Sequence, residues 1–166
     1  PANIGRMNGM LSVLERPENK GKYTILGQYA AYYSQSEGLT KMEQAIAGLP
    51  QEALDWSPGP EMNSMAVLAV HTAGAERYWI GDIVGQDPSG RVREREFETR
   101  GSAEAYLWDR LQAALTHSRG VLADLSLDDL AQPRYSSRHD KEFTAGYALL
   151  HALEHTAVHT GHIQLM

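Results

Sequence analysis

The chain has 166 residues, 42% of them hydrophobic, which suits one globular domain built around a single core. It contains no cysteine, which excludes disulfides, thiolate zinc sites, iron–sulfur clusters and a cysteine nucleophile, so any metal must bind through nitrogen or oxygen. The net charge of −6 argues against a broad nucleic-acid surface, and no apolar run approaches the roughly 18 residues of a membrane span. Residues 1–15 lack the long apolar stretch of a secretory signal, and we expect a cytoplasmic protein.

The first fifty residues predict an arm followed by a helix. Residues 16–22 are polar and contain Pro17 and Gly21, which predicts a loop that ends an N-terminal arm (residues 1–22) in front of a domain over residues 23–166. Large side chains in residues 24–47 recur mostly at steps of three, four or seven, which predicts the first long helix. These are Ile25, Tyr29, Tyr32, Tyr33, Leu39, Met42 and Ile46. Its three tyrosines exceed what one bundle face readily buries, and this predicts a homodimer.

A second helix and a long charged connection come next. Asn63 or Ser64 offers an N-cap for a helix that runs to about Val84. Residues 87–100 then form a charged connection that is longer than an antiparallel hairpin requires. The connection is long enough to cross the end of a bundle.

The remaining segments predict two further helices. Ser102 is expected to cap the third helix, which keeps its helical leucine spacing to about Leu125. A short capped turn at residues 126–130 and a polar loop at residues 132–142 follow. Thr144 is a plausible N-cap for a last helix that continues to the end of the sequence. No window shows sustained strand alternation, so the prediction is an all-α fold: a four-helix bundle with one long crossover connection.

Histidines are concentrated in the last predicted helix. His151, His155, His159 and His162 lie at about 0°, 40°, 80° and 20° around the helix axis, so all four share one face. Seven histidines in a chain of this length should give about 0.3 pairs spaced i,i+4 by chance, whereas two occur. Two imidazoles one turn apart can bind a common ion. The alternative is a solvated helix face that carries titratable side chains.

A third metal ligand is expected from another helix, and His71 is the best candidate. Its ring interrupts an otherwise apolar run in the second helix. A lone histidine in such a run is more often a hydrogen-bonded core residue, but the cluster in the last helix favours a ligand. His117 and His139 are predicted to be exposed side chains.

Several segments together resemble the DinB/YfiT-like superfamily of bacterial four-helix metalloproteins, a resemblance that covers residues 24–166. They are the Leu54-Asp55-Trp56-Ser57-Pro58-Gly59-Pro60 segment, the stretch from Ser64 to His71, the Glu76-Arg77-Tyr78-Trp79-Ile80-Gly81 segment, and residues 149–163. The pattern is a lone histidine in helix two followed by H-x-x-x-H-x-G-[QH] in helix four. The resemblance implies a metal triad of His71, His155 and His159. His162 stands where many such proteins have glutamine, and whether it is a fourth ligand is left open; His151 matches no ligand position.

The resemblance also implies a divalent ion, most often zinc or nickel, and a homodimer. Characterised relatives transfer or isomerise with a low-molecular-weight thiol, as thiol S-transferases and maleylpyruvate isomerase do. Three protein ligands with an open position are typical of catalytic metal sites, whereas structural zinc normally has four. We therefore predict a metal-dependent enzyme that transfers a low-molecular-weight thiol to a small electrophilic substrate. The alternatives are a metal-dependent hydrolase and a non-enzymatic metal-binding bundle.

Other residues are weaker candidates for roles near this site. Tyr78 and Ser64 either line the pocket or serve as a core phenol and a helix cap. Glu154 is either a hydrogen-bond acceptor behind a ligand or a surface acid that forms salt bridges. The three tryptophans, Trp56, Trp79 and Trp108, are predicted to lie in the core or the pocket wall. The arginines of the crossover, Arg91, Arg93 and Arg95, are predicted to belong to a solvated loop. The alternative for these arginines is that they bind an anionic group.

Overall fold

The computed structural model describes residues 35–166, and the elements named below belong to that part of the chain. Long helices are α1 (Gln35–Ile46), α3 (Met65–Glu76), α5 (Glu104–Ala123) and α6 (Ala145–Gln164). Short elements are α2 (Gln51–Leu54), a π-helix (Arg77–Val84), α4 (Arg93–Glu96), a 3₁₀ helix (Leu127–Ala131), β1 (Pro133–Ser136) and β2 (Lys141–Thr144). The predicted arm and the predicted start of the first helix lie outside the described residues.

Helix α3 is the central element of the bundle. Ser64 caps it by accepting a hydrogen bond from the Val67 backbone N–H at 3.2 Å, which confirms one of the two predicted caps. All twelve residues of α3 are buried, which explains its apolar sequence. The helix continues to Val84 as predicted, but its last eight residues are π-helical rather than α-helical. At Gly81, inside the π-helix, an added Cβ would collide with the Arg77 guanidinium and the His117 ring, so a larger residue there requires these side chains to shift.

The crossover between the π-helix and α5 contains a short helix and a buried acid and is not entirely a solvated loop. It contains α4, and within it Glu96 is only 5% exposed despite its charge. The predicted cap at Ser102 is wrong by one residue, because Ala103 occupies the N-cap position and makes no side-chain hydrogen bond. The first turn of α5 is therefore uncapped, although Glu104 lies there with the charge that a helix N-terminus favours.

The prediction that the chain contains no strands is wrong within residues 132–144. β1 and β2 pair antiparallel, with Pro133 opposite Thr144 and Ser136 opposite Lys141. The strands are four residues long, and Ser136 is the one fully buried position in them, so they carry no apolar alternation for a sequence pattern to reveal. Thr144 ends the hairpin and caps α6 as predicted, accepting a hydrogen bond from the Tyr147 N–H at 3.1 Å.

Two apolar clusters fill the bundle. The larger one joins α1, α3, α5 and the end of α6, and the smaller one joins the π-helix to the start of α6. In the first, Leu39, Met42 and Ile46 are fully buried, as the predicted stripe requires. The architecture is the predicted four-helix bundle with a long crossover between the second and third helices. No helix among residues 35–166 is both long and apolar enough to cross a membrane.

Candidate metal centre

The three histidines predicted as ligands meet where α3 packs against α6. Ala152, Thr156 and Thr160 form the buried face of α6, so the histidines one position before each of them lie on the flank of that face. His71 is 5% exposed on α3. Its ring centroid lies 4.9 Å from that of His155 and 5.2 Å from that of His159, and the latter two are 4.4 Å apart.

One nitrogen from each of the three rings lies within 4.8 Å of the others. Zinc binds imidazole nitrogen at about 2.0–2.1 Å, so small movements of the three rings would bring these nitrogens to ligand distance from one ion. His155 Nε2 and His71 Nε2 are 3.1 Å apart, which brings two ring nitrogens face to face. Such a pair is stable only when a proton or a cation lies between the two lone pairs.

A buried carboxylate fixes the tautomer of His71. Glu96 Oε2 lies 2.8 Å from His71 Nδ1. Because a carboxylate accepts and does not donate, the ring proton is on Nδ1, and a neutral His71 presents its Nε2 lone pair to the cluster. Carboxylate–histidine pairs of this kind commonly orient metal ligands.

Arg91 in turn holds Glu96. Its Nε donates to Glu96 Oε1 at 2.5 Å and its Nη2 donates to Oε2 at 2.7 Å, a bidentate pair. Gly74 makes this approach possible, because a Cβ there would collide with the Glu96 carboxylate and crowd Arg91 Nε. The interpretation of Arg91 as a solvated loop residue is wrong: its side chain is 10% exposed and belongs to the support of the site.

Electrostatics favours neutral ligands and a charged carboxylate. Burial, followed by the neighbouring imidazoles, lowers the pKa of His155 to about 3, and the same two causes lower the pKa of His159 to about 4. Burial alone would raise the pKa of Glu96, but hydrogen bonds from Arg91 and His71 outweigh it and the pKa is lowered. At neutral pH both α6 rings therefore offer free lone pairs, as metal binding requires.

The remaining α6 histidines have different surroundings. His162 is exposed, and its Nδ1 lies 3.2 Å from His159 Nδ1; it is not part of the nitrogen triangle found among the described residues. His151 packs edge-on against Trp79, with ring centroids 4.4 Å apart, and stacks on Tyr147. Burial lowers the pKa of His151. The structure thus places His151 in an aromatic stack beside the cluster, as its position outside the motif suggested.

The other residues considered in the sequence lie partly at the cavity and partly in the core or on the surface. Tyr78 is buried and hydrogen-bonded to Ser136, yet its ring also borders the cavity, so both of its predicted roles hold. Glu154 is exposed, in line with a surface acid. Trp79 is buried, whereas Trp56 and Trp108 are 51% and 39% exposed, so the core or pocket-wall prediction is wrong for those two.

Of the two histidines predicted to be exposed, His139 is exposed and His117 is not. His117 is partly buried and its Nε2 lies 2.9 Å from Asp87 Oδ2, so that prediction is wrong. His139 is exposed as a residue, but its ring stacks on Trp79 at 5.5 Å. Sequence reasoning missed Glu96 altogether. The only available signal was an acid among the arginines of the crossover, which has the composition of an ordinary solvated loop.

A cavity of about 160 Å³ opens onto His71 and His155. Its other walls are aromatic or basic: Tyr78, Trp79, Arg91, Arg93, Arg138, His139 and His151, together with Ala75. The donor set fits a divalent ion of borderline softness, because it offers three imidazole nitrogens and no thiolate. The cavity leaves space next to His71 and His155 for a small ligand.

Comparisons with known proteins agree with this architecture. A DinB-like protein from Bacillus cereus superimposes with a TM-score of 0.64 at 17% identity, covering 86% of this chain and 89% of the other. A conserved protein from Enterococcus faecalis gives 0.64 at 14% identity, covering 86% and 95%. A mutant of mycothiol-dependent maleylpyruvate isomerase gives 0.57 at 10% identity, covering 76% of this chain and 56% of the other.

These structural likenesses establish the DinB-like fold. A search of curated proteins finds no significant match. The family model for mycothiol-S-transferase matches residues 36–166, which include every residue of the three-histidine cluster and its support. The chain therefore belongs to the mycothiol-S-transferase family.

Proposed function

We propose that this protein is a metal-dependent transferase that joins a low-molecular-weight thiol to a small electrophilic substrate. The observation that carries the proposal is the convergence of His71, His155 and His159 beside an open cavity. The family match supports the thiol chemistry, and the mycothiol-dependent isomerase with the same fold is consistent with it. Zinc or nickel is the proposed ion.

Each supporting residue has a defined task. His71, His155 and His159 would hold the ion, which as a Lewis acid lowers the pKa of a coordinating thiol. Glu96 keeps the Nε2 lone pair of His71 pointed at the cluster, and Arg91 keeps Glu96 ionised and in place. The wall of Tyr78 and Trp79 gives an apolar carbon electrophile a surface to pack against.

The sulfur must come from a cosubstrate, because the chain contains no cysteine. In the proposed reaction the thiol loses its proton, the sulfur forms a bond to carbon, and either a leaving group departs or an activated alkene takes up a proton. The basic rim, which includes Arg93 and Arg138, favours substrates with a negative group.

Turnover of an electrophile such as monochlorobimane, measured with and without an added thiol, tests this proposal. We expect rates that require both metal and thiol, that disappear in His155→Ala and that persist in His162→Gln. Thiol-independent hydrolysis would instead favour the hydrolase alternative. Absence of any metal-dependent rate, combined with loss of metal in His162→Gln, would favour a closed four-histidine binding site.

Assembly and location remain predictions. The tyrosines that suggest a homodimer, Tyr29, Tyr32 and Tyr33, lie outside the described residues, as does the predicted boundary between arm and domain at residue 22. We propose a cytoplasmic homodimer. Light scattering should then give twice the 18.4 kDa of one chain.

A further inference from the structure

A second and larger cavity lies on the other side of the Arg91–Glu96 pair from the histidines. Its volume is about 610 Å³, and it lies between α3 and α5 under the crossover segment of residues 89–99. Arg91 borders both cavities, whereas His71, His155 and His159 do not line the larger one. We call this second cavity the arginine groove, after the side chains that dominate its lining: Arg77, Arg91, Arg95 and Arg110.

The charge of the arginine groove is opposite to that of the chain as a whole. Four guanidinium groups line it against one carboxylate, that of Glu96, in a protein whose net charge is −6. A concave surface with low-dielectric walls concentrates such a field and raises the local concentration of anions. The groove is therefore an attractive site for a negatively charged ligand.

Two of the four arginines already have carboxylate partners. Arg77 donates to Asp82 Oδ1 at 3.0 Å and to Asp87 Oδ2 at 2.8 Å, and Arg91 is paired with Glu96. Arg95, from the crossover, and Arg110, from α5, form no side-chain hydrogen bond or ion pair within the described part of the chain. Two guanidinium groups from different elements, neither with a side-chain partner in the described ranges, thus line one cavity.

The rest of the lining favours an organic ligand over a bare inorganic ion. The lining also includes the small apolar side chains Val70, Ala73, Ala113 and Ala114 and the ring of Tyr106, beside the polar Ser89, Thr99 and His117. A volume of this size accommodates a small metabolite, and the apolar floor can pack against a hydrocarbon or aromatic body. Guanidinium groups bind carboxylate and phosphate oxygens in a bidentate manner.

We propose that the arginine groove binds a small organic oxyanion, a carboxylate or phosphate ester with an apolar body, through Arg95 and Arg110. This site is separate from the metal centre. It does not depend on the transferase reaction, because the two proposed binding residues, Arg95 and Arg110, line only the larger cavity, although Arg91 borders both.

Isothermal titration calorimetry with phenyl phosphate and with benzoate tests the proposal, with benzyl alcohol as the uncharged analogue and inorganic phosphate as the bare ion. We expect saturable binding of one or both aromatic anions, weaker binding of phosphate, and none of the alcohol. The two anions distinguish a phosphate from a carboxylate ligand. Arg110→Gln and Arg95→Gln should each weaken binding roughly tenfold, the usual effect of losing one charge-assisted hydrogen bond.

Arg119→Gln is the matched control, because Arg119 is exposed on the same helix as Arg110 and does not line the groove. It should leave the affinity unchanged. If the anions bind at the metal centre instead, their affinity should fall in His155→Ala and stay unchanged in Arg110→Gln. That result would overturn the proposal. Absence of saturable binding, or equal weakening by Arg119→Gln, would overturn it as well.

Discussion

Glu96 and Glu76 are both buried acids, yet their surroundings shift their pKa values in opposite directions. Glu96 receives a bidentate pair from Arg91 and a hydrogen bond from His71, and its pKa is lowered. Glu76 receives one hydrogen bond, from Ser118 Oγ at 2.8 Å, and its other oxygen has no partner among the described residues. Burial raises the pKa of Glu76 to about 7.

The difference shows that burial alone does not decide the role of a carboxylate. Glu96 remains an anion because the Arg91 guanidinium is paired with it, and so it can accept a hydrogen bond that orients the His71 ring. Glu76, 1% exposed at the end of α3, has no such cation beside it among residues 35–166, and about half of it is protonated near pH 7. The first acid supports the site, whereas the second is a source of pH-dependent instability. Three substitutions test this contrast.

Removal of the ionised acid should have the largest effect. Glu96→Ala leaves Arg91 buried without its partner, and we expect a loss of about 3–5 kcal/mol in the free energy of unfolding. Metal affinity should fall roughly 10–100-fold, because His71 loses the group that fixes its tautomer. Urea denaturation and a competitive zinc titration measure the two effects. Glu98→Ala, two residues away at an exposed position, is the control and should change neither.

Replacement of the second acid should change the pH dependence of stability. With its pKa raised from 4.5 to about 7, Glu76 binds its proton more tightly in the folded state. The stabilisation of the folded state by this bound proton is therefore fully present below about pH 4.5 and is lost as the pH rises through 7. The free energy of unfolding should fall by about 3 kcal/mol over this range. Glu76→Gln should remove that decline. Denaturation midpoints at several pH values between 4.5 and 8.5 measure it, and an unchanged slope in the variant would contradict the assignment.

A change at Gly74 should have a smaller effect by a different route. Gly74→Ala places a methyl group against the Glu96 carboxylate, and the resulting displacement should cost about 1–3 kcal/mol of stability and weaken metal binding. Gly120→Ala is the matched control, since it lies in α5 with no atom near the added Cβ. There the helix preference of alanine should stabilise the protein by up to about 1 kcal/mol. Equal effects of the two substitutions on stability and metal binding would show that Gly74 has no part in positioning Glu96.

The sequence predicted those features that depend on periodicity and local caps. The apolar stripes gave the bundle, Ser64 and Thr144 gave two helix starts, and the one-sided histidine spacing in α6 gave two members of the cluster. His71 was identified because its ring breaks an apolar run. Each of these signals is carried by residues close together in the sequence.

Features that depend on contacts between distant segments could not be predicted. The pairing of Glu96 with His71 joins residues 25 positions apart, and it relies on the missing Cβ of Gly74. The crossover sequence alternates acids and bases, so nothing in it distinguishes the buried Arg91 and Glu96 from their solvated neighbours. The short hairpin lacked an apolar period for a similar reason: its strands are mostly exposed.

Metal stoichiometry in wild type and His155→Ala tests the central claim most directly. Protein purified without chelator or nickel affinity resin is dialysed against zinc, and bound metal is measured by plasma mass spectrometry while helicity is followed by circular dichroism. The account predicts one ion per chain in wild type and little or none in His155→Ala, with helicity retained because the apolar clusters hold the bundle together. Equal metal content in the two proteins, or none in wild type, would contradict it.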